Sequence, residues 1–187
     1  MNITKTYIPD LLIIEPKVFE DDRGYLFESY NKEKYKESGI HFNFVQDNQS
    51  KSTYGVLRGL HYQLAPYSQT KLVRVLQGEI LDIAVDIRKN SPTYGKWIKV
   101  LLSDQNKKQL LIPKGFAHGF SVLSQNAVVF YKSDEPYNPS SERGIIFNDI
   151  KLNIDWGIPL DVAIISSKDK GLPSFENAEM NFVYQET

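Results

Sequence analysis

The sequence predicts an all-β protein, built as an antiparallel β-sandwich or jelly roll with a few short helices. Hydrophobic and polar residues alternate with a period of two along much of the chain, which is the pattern of a strand with one buried face. Short runs rich in β-branched and aromatic residues recur between turn residues, and helix signals are few. Many short strands with little helix between them favour packed antiparallel sheets.

The clearest strand pattern lies on either side of a turn at residues 77–79. Residues 71–76 alternate along the chain, and residues 80–87 continue the same period. Within the second run, one face is wholly aliphatic and the other carries Asp82 and Asp86. These residues therefore predict two strands joined by a tight turn. The two acidic residues belong either to the solvated face of a sheet or to the wall of a ligand cavity in a barrel.

Further strand-like runs share this composition and are bounded by turn residues. They are residues 97–102, 109–112, 120–123, 127–132 and 144–147. Helix is predicted only twice. Residues 31–38 are polar and charged, start with Asn31 as a good N-cap residue and end before Gly39. A second, short helix is predicted near residues 150–153.

Composition limits the class of protein. The chain has 187 residues, about one domain, so we expect residues 1–187 to form a single domain. The net charge of −1 provides no basic field for nucleic acid, and the absence of cysteine excludes disulfides and a cysteine nucleophile. No apolar run approaches the ~20 residues of a membrane span, and the N-terminus lacks a signal-peptide pattern. The expected location is the cytoplasm.

Three histidines are candidates for chemistry. His41 lies in a polar stretch and is more simply a surface residue, whereas His61 follows Arg58 and Gly59, which suit anion binding and close backbone approach. The Pro-x-Gly-x-x-His spacing that ends at His118 is similar to half of the cupin metal-binding signature. The other half lacks its second histidine, although a site with two histidines and one carboxylate remains open.

An ordered series of motifs resembles the dTDP-4-dehydrorhamnose 3,5-epimerase family. The Leu-Arg-Gly-Leu-His sequence at residues 57–61 is its strongest part, and the likeness runs in order from about residue 8 to residue 169. The matching stretches are residues 22–24, 27–29, 44–48, 56–63, 71–74, 78–79, 86–88, 91–95, 112–120, 129–132, 137, 139–142 and 167–169.

The resemblance implies a cupin-like jelly roll that works as a homodimer on a nucleotide-linked 4-keto-6-deoxy sugar, with no metal or organic cofactor. By match, His61 is the general base, Asp169 holds its imidazole, Tyr131 is the acid on the opposite face and Lys71 stabilises the enolate. The residues that match substrate-binding positions are Arg23, Glu28, Gln46, Asn48, Arg58, His118, Tyr137, Glu142 and Lys168. Of these, Arg23 and Glu28 are expected to reach the site of the partner subunit.

The chemistry of such a reaction suits these residue types. A C4 ketone acidifies the hydrogens on C3 and C5, and a neutral histidine is a competent base near neutral pH. An ammonium aimed at the C4 oxygen stabilises the enolate, and a tyrosine phenol can return a proton from the other face. Inversion then follows from the placement of acid and base on opposite sides of the ring.

Two departures from the family pattern bear on nucleotide preference. Leu26 stands where an aromatic residue is common, and Thr70 stands where glycine is frequent. Two other functions remain open at this stage. One is a metal-dependent cupin enzyme that uses His61 and His118, and the other is a sugar-binding jelly roll without catalysis.

Overall fold

The computed structural model describes residues 1–186 and is dominated by β-structure. Its elements in chain order are β1 (Asn2–Lys5), β2 (Leu12–Glu15), β3 (Phe19–Asp21), β4 (Gly24–Leu26), α1 (Lys32–Glu37), β5 (Gln46–Thr53), β6 (Leu57–Gln63), β7 (Lys71–Gln77), β8 (Glu79–Asp86), β9 (Trp97–Ser103), β10 (Gln109–Ile112), β11 (Phe116–Val122), β12 (Asn126–Ser133), a 3₁₀ turn (Pro139–Ser141), β13 (Glu142–Gly144) and α2 (Ser167–Lys170). The all-β prediction is confirmed.

Two antiparallel sheets face each other. The six-stranded sheet has the order β1-β2-β10-β7-β12-β5, and the five-stranded sheet has the order β13-β6-β11-β8-β9. Strands β3 and β4 form a separate hairpin. Consecutive strands alternate between the large sheets at several points, which is how a jelly roll closes on itself.

The predicted pair of strands around residues 77–79 is present as β7 and β8, but the two strands belong to different sheets. Gly78 makes the crossing in a left-handed conformation, with φ of +79°. A Cβ atom at this position would lie 2.1 Å from the carbonyl oxygen of Asn126. The turn is therefore the corner between the sheets and does not form a hairpin.

Two of three hydrophobic clusters explain why β8 is buried on both faces. One cluster fills the space between the sheets and includes Ile80 and Ala84. A second lies on the outer face of the five-stranded sheet, where the C-terminal segment covers it and Trp156 is 1% exposed. The third lies beneath α1 on the outer face of the six-stranded sheet. Neither Asp82 nor Asp86 is on a solvated face, since both are 0% exposed.

Most of the predicted strands are confirmed, and two predictions are wrong. Of residues 144–147 only Gly144 lies in a strand, as the last residue of β13, because the Ile146 amide bonds to Pro173 of the C-terminal segment. Helix α1 begins after Asn31, whose side chain accepts a hydrogen bond from the Lys34 amide. Residues 150–153 form a turn and not a helix. The carboxylate of Asp149 accepts from the Leu152 amide at 2.9 Å, and Asn153 adopts a left-handed φ of +45°, which ends the turn after one cycle.

Several elements were not predicted at all. Strand β5 carries only polar residues, and β1 to β4, β6 and α2 lacked a recognised signal.

Among residues 1–186, neither helix combines the length and the apolar character needed to cross a membrane. A frayed end was expected at residues 185–187. Gln185 and Glu186 lie outside any helix or strand, and Thr187 lies outside the described residues.

A buried ion pair fixes the end of β8. Asp86 accepts two hydrogen bonds from the Arg88 guanidinium at 2.9 Å, and Ser91 and Thr93 donate to the same carboxylate. Burial would raise the pKa of Asp86, but these hydrogen bonds outweigh it and hold the pKa below its usual range. The Arg88 guanidinium also stacks on Phe116, 4.5 Å from the ring centroid.

Replacement of Asp86 by alanine should destabilise the fold by about 3 kcal/mol, because it leaves the buried Arg88 guanidinium without its main counter-ion. Urea unfolding followed by circular dichroism measures the loss. The matched control is Glu176→Ala, which breaks an exposed pair with Lys151 and should leave the midpoint unchanged. Equal midpoints for the two variants would contradict a stabilising role for the buried pair.

Candidate active site

The space between the two sheets contains a cavity of about 640 Å³. Eight of the thirteen residues singled out in the sequence line it: Asn48, Arg58, His61, Lys71, His118, Tyr131, Lys168 and Asp169. A larger cavity of about 810 Å³ lies between the N-terminal strands and the C-terminal segment, and none of the thirteen residues lines it. The sequence candidates therefore converge on the cavity between the sheets.

His61, which is partly exposed, and the buried Asp169 form a pair at one wall of this cavity. Nε2 of His61 lies 2.8 Å from Oδ1 of Asp169, and the Gly59 amide donates to Oδ2 at 3.2 Å. Burial would raise the pKa of the Asp169 carboxyl, but the hydrogen bonds from His61 and Gly59 outweigh it and lower the pKa. Because Asp169 engages Nε2, Nδ1 is the ring nitrogen of His61 that remains for a substrate.

Helix α2 brings Asp169 to this position. Ser166 caps the helix and accepts a hydrogen bond from the Asp169 amide at 3.1 Å. The Asp169 side chain turns away from the helix and toward β6 and is 3% exposed. Its neighbours in the sequence, Lys168 and Lys170, gave the stretch the appearance of a solvated charge run.

A bulge in β6 lets both Arg58 and His61 line the cavity. Residues three apart on a regular strand point to opposite faces. Here Phe120 of β11 pairs with Arg58 and His118 pairs with His61, so β6 holds one extra residue between the two pairs. Gly59 occupies the bulge with φ of +121°, and a Cβ atom there would lie 2.6 Å from the Cα of Gly119.

The opposite wall belongs to the six-stranded sheet. Tyr131 of β12 pairs with Val73 of β7, and Lys71 lies two residues before Val73, so all three side chains share the inner face. The Lys71 ammonium lies 5.6 Å from the centroid of the Tyr131 ring. Burial raises the pKa of the Tyr131 phenol, and the nearby Arg58 offsets this only in part.

The pKa of Lys71 is strongly shifted by its position in the cavity. Burial lowers the pKa of its ammonium from 10.5 to about 8, although the carboxylates of Asp82 and Glu142 act in the opposite direction. Lys71 is therefore an ammonium at neutral pH, with its positive charge confined to the space between the sheets.

His118 lies directly across the strand pair from His61 and has its own carboxylate partner. Nε2 of His118 is 2.7 Å from Oδ1 of Asp82, and both side chains are buried. Thus His61 and His118 contact two different carboxylates. Within residues 1–186, no group of three or more His, Cys, Asp or Glu side chains is arranged to hold a metal ion.

Three of the remaining candidates, Gln46, Tyr137 and Glu142, form the rim, where Gln46 and Glu142 contact residues that line the cavity. Glu142 accepts hydrogen bonds from the Tyr137 hydroxyl at 2.7 Å and from the Lys168 ammonium. Burial would raise the pKa of Glu142, but these two donors lower it overall. The Gln46 side chain donates a hydrogen bond to Asn48 and accepts one from the Tyr137 amide. The second hydrogen bond connects β5 to the segment before β13.

Arg23 and Glu28 do not reach this cavity. The Arg23 side chain is 90% exposed and pairs with Asp21, and Glu28 pairs with Lys34. They lie in and after the β3–β4 hairpin, whose apolar residues are also exposed: Leu26 is 74% accessible. Within this single chain, the two residues stay apart from the other eleven.

Some residues of the cavity had no place among the sequence candidates. Ser50, Ile164 and Ile165 line the cavity but are not among the candidates. Asp82 does not line the cavity but contacts His118, which does, and only its odd position in a strand marks it in the sequence. Residues 46, 48, 50 and 52 of β5 are the less exposed set, but Gln49 and Thr53 of the exposed set carry the same amide and hydroxyl groups. A search for hydrophobic periodicity therefore finds no signal for Ser50.

Comparison with known proteins agrees with this geometry. The sequence profile of the dTDP-4-dehydrorhamnose 3,5-epimerase family matches residues 5–177. The chain belongs to this family. It is 55% identical to the dTDP-4-dehydrorhamnose 3,5-epimerase of Shigella flexneri over 180 residues, which cover 96% of this chain and 98% of that protein. The family members are isomerases, as the sequence predicted.

Solved structures of the family have the same cupin-like fold. A Legionella pneumophila epimerase in complex with dTDP-4-keto-L-rhamnose superposes with a TM-score of 0.94 at 48% identity, covering 99% of both chains. A Bacillus anthracis epimerase with TDP and pyrophosphate bound gives 0.89 at 45% identity, covering 92% of this chain and 98% of that one.

Replacement of Gly59 by alanine should lower stability by at least about 2 kcal/mol, because a side chain would meet the backbone of β11 and would also strain the residue. Thermal unfolding measures this loss. Gly24→Ala is the matched control, since Gly24 has a similar φ of +122° but no atom within 4 Å of an added Cβ. If both variants lose the same stability, the backbone conformation alone is responsible and the close approach is irrelevant.

Lys71 should titrate near pH 8, more than two pH units below an ordinary lysine, because its ammonium is desolvated. NMR of ¹³C-labelled lysine ε-carbons across pH 6–11 measures this, and Lys71→Arg assigns the signal. Lys151, which is exposed and paired with Glu176, serves as the internal reference. Its pKa should lie above 10.5, the ordinary value of lysine. Titration of Lys71 beside the surface lysines would contradict the desolvated site.

Proposed function

We propose that this epimerase-family chain converts dTDP-4-dehydro-6-deoxy-D-glucose into dTDP-4-dehydro-L-rhamnose by proton transfer at C3 and C5. The observation that carries the proposal is the placement of His61 and Tyr131 on opposing sheets, with one cavity between them. A sugar ring bound in that cavity presents one face to each residue. Inversion needs this arrangement, since a proton must leave one face and return to the other.

His61 acts as the general base. Asp169 accepts a hydrogen bond from Nε2–H and so fixes the tautomer in which Nδ1 carries the lone pair. When Nδ1 takes the C5 or C3 proton, the same carboxylate stabilises the imidazolium that forms. The lowered pKa of Asp169 keeps it ionised at neutral pH and suits it to this task.

Lys71 stabilises the enolate. Proton removal places negative charge on the C4 oxygen, and an ammonium within the cavity opposes that charge with little screening by water. With a pKa of about 8, Lys71 is mostly protonated at neutral pH. It is also close enough to Tyr131 for both groups to contact the same substrate.

Tyr131 delivers the proton that completes inversion. Burial raises its pKa, so the phenol keeps its proton at neutral pH until a strongly basic carbanion is present. Its position on β12 puts it across the cavity from β6. Return of the proton from the His61 side would regenerate the substrate, whereas return from Tyr131 gives the epimer.

The nucleotide is held at the rim. The relatives bind dTDP-4-keto-L-rhamnose and TDP with pyrophosphate, which makes a thymidine diphosphate sugar the substrate class we propose. Arg58 and Lys168 supply cations for the diphosphate. Tyr137 is 52% exposed at the rim, where its ring can stack on the base. Gln46, Asn48, His118 and Glu142 complete the set of proposed polar contacts.

We further propose a homodimer in which Arg23 and Glu28 complete the cavity of the partner subunit. Their exposure, and the exposed apolar residues of the β3–β4 hairpin beside them, suit a contact with a second copy. Each copy would act as one domain over residues 1–187. The expected cytoplasmic location stays a prediction.

Incubation with dTDP-4-keto-6-deoxyglucose in deuterated water should place two deuterons on each sugar, at C3 and C5, as read by mass spectrometry and NMR. His61→Asn should slow this exchange by about 10²–10⁴-fold, because it removes the base. Tyr131→Phe should still exchange but should fail to release inverted product. The matched controls are His41→Asn and Tyr54→Phe, two exposed residues outside the cavity.

Other outcomes identify the alternatives. Full exchange by His61→Asn would overturn the proposed base. One deuteron per sugar would indicate a single-site epimerase, which is the activity named for a Streptomyces bikiniensis relative that is 29% identical. Stoichiometric metal by elemental analysis, with activity lost to a chelator, would favour the metal-dependent enzyme. Binding without any exchange would favour a sugar-binding protein.

A further inference from the structure

We propose that Asp82 is a positioning residue for the reaction: it holds His118 in place and serves as the counter-ion that keeps Lys71 protonated. The inference rests on the proposed function for its catalytic meaning. The interaction between Asp82 and Lys71 itself can be tested without any substrate.

The first argument is the position of Asp82 in β8. Its neighbours at alternate positions, Ile80 and Ala84, lie in the core between the sheets, so the Asp82 side chain projects into the same interior. It pairs across the strands with Phe120 of β11, which lines the cavity. The carboxylate therefore lies in the closed interior and is 0% exposed.

The second argument is that Asp82 uses only half of its hydrogen-bonding capacity. Oδ1 contacts Nε2 of His118 at 2.7 Å, whereas Oδ2 is buried without a hydrogen-bond partner among residues 1–186. An ionised carboxylate in such a place is costly unless an opposite charge is near. A cation in the same interior would lower this cost.

Lys71 is the cation that meets this need. The charge of Asp82 raises the pKa of Lys71 and opposes the effect of burial, as does the charge of Glu142. The titratable and charged groups that face Lys71 come from five strands: Asp82 on β8, Glu142 on β13, Tyr131 on β12, His118 on β11, and His61 and Arg58 on β6. Lys168 and Asp169 of α2 line the same cavity. Of the three carboxylates, Asp169 is bonded to His61 and Gly59, and Glu142 already binds Lys168, which leaves Asp82.

The arrangement also fixes His118. The Nε2–H group of His118 donates a hydrogen bond to Asp82, which leaves Nδ1 as the other polar atom of the ring. Asp82 thus sets both the orientation of His118 and the charge of Lys71, although it does not itself line the cavity. It acts on the substrate only through these two side chains.

The test is Asp82→Asn in the full chain, with the Lys71 pKa read by ¹³C NMR without substrate. Loss of the neighbouring negative charge should lower this pKa from about 8 to about 7. The matched control is Asp86→Asn, which removes a second carboxylate that is 0% exposed on the same strand but does not face Lys71. The control should leave the Lys71 pKa unchanged even if it lowers stability.

The same variant gives a kinetic readout. For a Lys71 pKa near 7, kcat at pH 8 should fall about fivefold while kcat at pH 6 changes little, since the ammonium fraction at pH 6 is nearly complete in both proteins. A purely structural role for Asp82 would lower kcat at both pH values to the same extent.

An unchanged Lys71 pKa in folded Asp82→Asn protein would overturn the proposal. If that variant does not fold, Asp82→Ser, which removes the charge and retains a small polar group, provides the same titration. If the Lys71 pKa falls as expected but the parent protein exchanges no deuterium into the sugar, the counter-ion stands and the proposed function is what fails.

Discussion

The arrangement of the cavity depends on the carboxylate of Asp169. One oxygen contacts the His61 ring and the other accepts from the Gly59 amide, so a single side chain joins helix α2 to a bulge 110 residues earlier in the chain. A buried carboxylate is costly unless hydrogen bonds or an opposite charge compensate it, and here both oxygens are hydrogen-bonded. Closure of the C-terminal segment over the five-stranded sheet and orientation of the proposed base are therefore coupled.

Physical periodicity explains which parts of the fold could be predicted from the sequence. Strands β7 and β8 alternate aliphatic side chains, β9, β10 and β12 are short apolar runs bounded by turn residues, and α1 has a strong N-cap in Asn31, so the sequence predicts these elements. Strand β5 has no apolar face because its inner residues line the cavity, and β6 is interrupted by the Gly59 bulge. Near residues 150–153, the Asp149 carboxylate accepts a hydrogen bond from the Leu152 amide, as an N-cap side chain does at the start of a helix. The sequence of this turn therefore resembles a helix start.

The site was less accessible to spacing arguments than the fold. The resemblance to the family identifies Asp169, Tyr131 and the rim residues as candidates. The fold then places Asp169 and Tyr131 with His61 around one cavity. Spacing alone could not do this, because the members come from strands of both sheets and from a helix near the C-terminus. Arg23 and Glu28 illustrate the limit of a single chain, since both stay exposed and apart from the cavity.

Two histidines on neighbouring strands line the cavity, each paired with an aspartate, and the second oxygen of each carboxylate distinguishes the two pairs. In Asp169 this oxygen accepts a hydrogen bond from a backbone amide of β6. The negative charge of Asp169 is therefore compensated by this amide and by the His61 ring. In Asp82 the corresponding oxygen has no such partner within residues 1–186, so its charge acts across the interior. In the proposed mechanism the same residue types therefore have different roles: one pair orients the base, and the other maintains the cation that stabilises the enolate.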